Sequence, residues 1–117
     1  MPFIMMKTSQ TVTQEEEVAL KTAFGQAISC VPGKSEQVLL VGIEGDYSFY
    51  LRGEKSPVAY IEISLFDTPE HRGYASMTSL VTRAIEEILG IPKEQIYLHF
   101  HDIAAWGVAG YYMEANR

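Results

Sequence analysis

Pro32-Gly33-Lys34-Ser35-Glu36-Gln37-Val38 and Gly90-Ile91-Pro92-Lys93-Glu94-Gln95-Ile96 follow one local plan, far apart in the chain. In each, a helix breaker is followed by Lys, then Glu-Gln, then an apolar run. Proline lacks a backbone donor, and glycine readily takes the left-handed conformation that ends helices. Each stretch therefore reads as a helix exit that feeds a strand, at residues 38–43 and again at 96–100.

Upstream of each exit lies a helical pattern. Residues 14–30 form the first helix. Thr13 with Glu16 makes a capping box, and Glu15 and Glu17 add favourable charge to the first turn. Leu20, Phe24, Ala27, Ile28 and Val31 recur at helical spacing, and Cys30 on the same stripe reads as a buried hydrophobe. The second helix follows Asp67-Thr68-Pro69-Glu70 and runs to Leu89, with Met77, Leu80, Val81, Ala84, Ile85 and Ile88 on its apolar face. Further upstream, residues 3–8 and 58–65 read as strands. The order is strand-helix-strand, twice.

Strands joined through a helix lie parallel, with a right-handed crossover. The predicted fold is α/β (α+β): two β-α-β units merged into one four-stranded mixed sheet, with both helices on one face. Residues 47–51 and 108–113 read as short additions at the sheet edges. Phe3-Ile4-Met5-Met6 and Val38-Leu39-Leu40-Val41 are apolar at consecutive positions, so both strand faces call for burial. Helices cover only one. Packing between subunits is the simplest cover for the other, which places sites at subunit boundaries.

Composition narrows the class. A chain of 117 residues is expected to be one domain, residues 1–117. With 47% hydrophobic residues it can build a core. The formal net charge of -6 and scattered Lys and Arg leave no basic stripe for nucleic acid and no polybasic membrane patch. A single cysteine allows no intrachain disulfide. The start, MPFIMMKTSQ, lacks a secretory signal, so a cytoplasmic location is expected; export by an unconventional route would leave no mark.

The start carries the chemistry. Met1 is normally removed ahead of a small residue such as Pro2. The mature chain would then open with a secondary amine in the first strand. An α-amino group titrates near about 8. Burial and a nearby cation both lower that value. Such an amine is a general base that needs no side chain. The competing reading is an ordinary strand-opening proline.

Taken in order, Met1-Pro2, Gly33-Lys34, Pro57 before the third strand, and Gly90-Ile91-Pro92 leading to Ile96-Tyr97-Leu98 and Asp102 match a known pattern. Over nearly its whole length the chain resembles the macrophage migration inhibitory factor family, within the tautomerase superfamily. The resemblance implies a homotrimer with sheets wrapped round a central channel, and active sites between neighbouring subunits. It implies a cofactor-free isomerase, a keto–enol tautomerase acting on phenylpyruvate-like 2-keto acids or their enols. Pro2 is then the catalytic base that moves a proton between carbon and the carbonyl oxygen.

The same resemblance assigns the binding residues. Lys34 would hold the substrate carboxylate or the developing enolate oxygen and depress the Pro2 pKa. A helix-terminal lysine satisfying the dipole is the alternative, and Lys93 reads that way. Phe66 falls where the family uses a backbone N–H, and equally suits the core. Tyr97 would reach the neighbouring subunit's site, or merely pack at an interface. His99 stands where vertebrate members have a substrate-binding asparagine; it can still donate a hydrogen bond. His99 and His101 share a strand face next to Asp102, but with no convincing third ligand no metal is expected. His71 needs no special role.

The tail departs from the family's glycine-tryptophan-asparagine ending, and Trp106 and Tyr111 are candidates for an aromatic pocket wall. The cytokine's Cys-x-x-Cys positions fall at residues 58–61, without cysteine, so thiol–disulfide activity does not carry over. The alternative function is a cytokine-like signalling protein that binds a protein receptor, with weak or vestigial tautomerase activity.

Overall fold

The computed structural model describes residues 1–116. The first strand, β1, spans Pro2–Thr8 and the first helix, α1, Gln14–Ala27. The predicted capping box is formed. Thr13 Oγ1 accepts the Glu16 N–H at 3.1 Å, and Glu16 Oε1 accepts the Thr13 N–H at 3.0 Å. Leu20, Phe24, Ala27, Ile28 and Val31 are buried. The α-helix stops short of residue 30, because its exit tightens into a 3-10 turn, Ile28–Cys30. Such turns satisfy the last carbonyls when the helix cannot continue. Cys30 ends that turn and is only partly buried, against the core.

The second helix, α2, spans Tyr74–Leu89 and buries Met77, Val81, Ile85 and Leu89. Leu80 is exposed, so the apolar stripe is narrower than the sequence suggests. At Gly73 (φ 82°) the start of α2 touches the end of α1: a Cβ there would collide with the Cys30 carbonyl. Glycine permits both the left-handed φ and the close approach.

Strand β2 is Leu40–Glu44, not residues 38–43; Glu36–Val38 is a 3-10 turn in which Leu39 N–H donates to the Glu36 carbonyl at 3.1 Å. Pairing begins only where the run reaches β1, with Phe3 opposite Leu40. Two tiny strands follow, β3 (Tyr50–Leu51) and β4 (Glu54–Lys55), then the long β5 (Ala59–Phe66). After α2 come β6 (Ile96–Ile103), β7 (Ala105–Val108) and β8 (Tyr111–Glu114). The main sheet runs β2-β1-β5-β6, parallel within each repeat and antiparallel at the β1–β5 seam. This is the four-stranded mixed sheet the repeat predicts.

The expected edge additions are not edges of this sheet. β3–β4 and β7–β8 close into separate two-stranded hairpins. Both turns have two consecutive left-handed residues, Arg52-Gly53 and Ala109-Gly110. That geometry pairs neighbouring strands through a two-residue turn, so each segment folds back on itself.

One contiguous core lies between sheet and helices. Ile4 and Met6 alternate inward from β1, and Ala59, Ile61, Ile63 and Leu65 from β5. Phe3, Met5, Lys7, Tyr60, Glu62 and Ser64 are only partly buried. Among the described residues, no helix is long and apolar enough to cross a membrane.

Candidate active site

Pro2 opens β1 directly opposite Leu65 of β5, which lies opposite Asp102 of β6. Just beyond Leu65 the chain turns sharply. Asp67 takes φ 55°, and its N–H donates to the Ile103 carbonyl at 3.0 Å. The next N–H, of Thr68, donates to Asp102 Oδ1 at 2.9 Å. These bonds fix the end of β5 against β6, beside Pro2.

The first helix exit reaches the same place. Gly33 adopts φ 79° and the Lys34 N–H returns to the Val31 carbonyl at 3.1 Å, which closes the turn. The Lys34 ammonium then donates to the Phe66 carbonyl at 2.7 Å. An ammonium has three donors, so this contact holds the group while two donors remain for a ligand. Phe66 thus enters through its carbonyl, which positions Lys34.

The terminal amine responds to this setting. With Met1 in place, its pKa is lowered from about 8, first by burial and then by the Lys34 charge. Both factors disfavour the protonated amine. Beside it lies a cavity of about 470 Å³, lined by Met1, Pro2, Val38, Leu40, Trp106, Gly107 and Val108. The hairpin β7–β8 supplies one wall and the approach to β2 the other. Trp106 is in that wall, as the sequence suggested; Tyr111 is exposed on β8 and does not line it. Val38 and Leu40 line it as well. Their run of four apolar residues calls for burial on both strand faces but does not itself point to the Pro2 cavity.

Pro2, Lys34 and Phe66 therefore converge within one chain. Tyr97 and His99 do not join them. Tyr97 pairs with Tyr60, five positions along β6 from Asp102. At roughly 3.3 Å per residue that is about 16 Å from the Pro2 end. His99 instead contacts Tyr60, with the hydroxyl 3.2 Å from its ring nitrogens. Asp102 supports the turn at Thr68. His71 sits in the turn before α2, its ring stacked on Tyr74 at 5.0 Å.

The fold recurs in solved structures. Leishmania major MIF2 superposes with a TM-score of 0.88 at 23% identity, covering 97% of each chain. A macrophage migration inhibitory factor homologue from Prochlorococcus marinus gives 0.81 at 22% identity, covering 95% of this chain and 98% of its own. The protein Pt0534, solved after inactivation by 2-oxo-3-pentynoate, gives 0.82 at 15% identity, covering 97% and 95%. Identities this low establish likeness of fold. None of the curated protein sequences matches the chain. The family model for macrophage migration inhibitory factor (MIF) matches residues 1–112, nearly the entire length. The chain belongs to the macrophage migration inhibitory factor family.

Proposed function

We propose that the mature protein, after loss of Met1, is a cofactor-independent keto–enol tautomerase whose base is the Pro2 amine. The observation that carries this reading is the Lys34 ammonium, held by the Phe66 carbonyl within electrostatic reach of the chain's terminal amine. Cation and burial both favour the neutral form of an amine at this end of β1, which is the form that accepts a proton.

The neutral Pro2 nitrogen takes a proton from the carbon next to the carbonyl of a 2-keto acid. The electron pair moves onto the carbonyl oxygen, and the same proton is then delivered to that oxygen. Lys34 compensates the negative charge of the carboxylate or of the enolate as it develops. The wall of Val38, Leu40 and Trp106 suits an apolar or aromatic substituent such as that of phenylpyruvate. The relative inactivated by an acetylenic 2-keto acid supports this substrate class.

The assembly we propose is a homotrimer, in which Tyr97 and His99 of one subunit wall the pocket of the next. Its support is the apolar surface one chain leaves open: Leu40 is 64% exposed and Tyr97 52%. Surface of this kind at a sheet edge calls for a partner.

The test compares phenylpyruvate tautomerisation by the mature protein and by Pro2→Ala, with mass spectrometry confirming that Met1 is absent from both. General-base catalysis contributes roughly 10²–10⁴-fold, and a loss on that scale is expected in the variant. Equal rates would remove Pro2 from the mechanism.

A further inference from the structure

On the side of the sheet away from the helices, the structure supplies what the sequence lacked: a third ligand beside His99 and His101. Glu62 sits directly across from His99 in the parallel β5–β6 pairing, and His101 is one residue pair further along the same face. Glu62 Oε2 lies 3.6 Å from His99 Nε2 and 3.6 Å from His101 Nε2. One donor atom from each residue lies within 4.8 Å of the other two. We propose that Glu62, His99 and His101 form a binding site for a divalent transition-metal ion of the zinc type, apart from the Pro2 cavity of the same chain.

The spacing is the first argument. Zinc binds imidazole nitrogen and carboxylate oxygen at about 2.0–2.2 Å, so ligand atoms round one ion stand roughly 3.0–3.6 Å apart. The two Glu62–His separations already have that length, and only the distance between the imidazoles must close. Their rings lie 4.5 Å apart with planes at 83°, an edge-on arrangement that small rotamer changes can adjust.

The donor set is the second argument. Two imidazoles and one carboxylate suit zinc, cobalt, nickel or copper, whereas calcium and magnesium prefer all-oxygen shells. Three ligands on one side leave the remaining coordination positions to water.

The surroundings are the third. Metal-bound histidines are usually oriented by a hydrogen bond at the other ring nitrogen; the Tyr60 hydroxyl, 3.2 Å from both Nδ1 and Nε2 of His99, can bond Nδ1 once Nε2 takes the metal. The carboxylate is oriented too. Lys7 Nζ lies 3.9 Å from Glu62 Oε1, while Oε2 faces the two imidazoles. All three ligands are partly exposed, so an ion has a route in.

The competing reading is a carboxylate ion-paired with two imidazoles and nothing more. Untagged, chelator-treated mature protein is titrated with Zn²⁺ by calorimetry and with Co²⁺ by visible absorption. The expected result is one ion per chain and visible Co²⁺ bands typical of a low-coordinate site. Glu62→Gln and His101→Ala should each weaken Zn²⁺ binding at least about tenfold. Absence of the Co²⁺ bands in the wild-type protein overturns the proposal, whether or not the variants fold. So does a Zn²⁺ affinity that neither folded variant changes. Because the readout is metal binding, failure here leaves the keto–enol reading untouched.

Discussion

The two helix exits share a sequence and differ in fate. Lys34 is half-buried and bonded to the Phe66 carbonyl, whereas Lys93 is exposed. The shared order of breaker, Lys and Glu-Gln makes the two lysines look equivalent, but Ser35 separates Lys34 from Glu36 and the folded turns are out of step. Lys93 opens the 3-10 turn Lys93–Gln95, the position that Glu36 takes in Glu36–Val38. Lys34 lies before that turn, in the lead-in from Gly33. From there its side chain reaches the end of β5. A duplicated local sequence can thus build the scaffold twice and carry a lysine to the end of β5 only once.

The harshest way to break this comparison is to delete each lysine. Lys34→Ala should lower kcat/KM for phenylpyruvate by about 10²-fold, the scale of losing one preorganised charge contact. Lys93→Ala should leave it unchanged. Similar losses in both would mean that the lysines act through overall charge, not through position.

A pH profile sharpens the same contrast. The proposed base accepts a proton only when neutral, so on that reading activity rises with pH through its pKa. Lys34 lowers the pKa of the Met1 terminal amine, whose place the Pro2 amine takes once Met1 is lost. Removal of Lys34 should move the acid limb of kcat/KM to higher pH, towards the ordinary value near about 8. An unmoved limb would assign that limb to another group.

The turns themselves allow a finer test. Gly33 and Gly90 both hold left-handed φ, 79° and 71°, with open space where a Cβ would stand. Alanine at either site should cost roughly 1 kcal/mol, since the strain is of backbone alone. Denaturant titration should show matched losses. Only Gly33→Ala should also reduce kcat/KM, by a few-fold, because only that turn aims a lysine at the site. Equal activity in both would show that Lys34 is aimed by the Phe66 contact without help from its turn.

The smallest difference expected lies between the helix starts. Thr13→Ala should cost about 1 kcal/mol by chemical denaturation, through loss of a reciprocal cap. α2 has no side-chain cap at Gly73, so Ser76→Ala, three residues into that helix, should stay within about 0.5 kcal/mol.

The elements are legible in the amino-acid order because their causes are local. Breakers, the capping box and helical spacing placed α1, α2 and the four long strands to within a few residues. The Met1-Pro2 start singled out Pro2, and resemblance to the family brought Lys34 and Phe66 into view. Which atoms meet depends on how the elements pack in three dimensions. The tertiary structure showed that Phe66 serves Lys34 through its carbonyl, that Val38 and Leu40 wall the cavity, and that the apparent twin lysines diverge. It also set Glu62 against His99 and His101, residues 37 and 39 positions further along the chain. The physical reason is register. Side-chain alternation fixes which face a residue occupies, but pairing between strands distant in sequence fixes its neighbours, and no local pattern encodes that pairing.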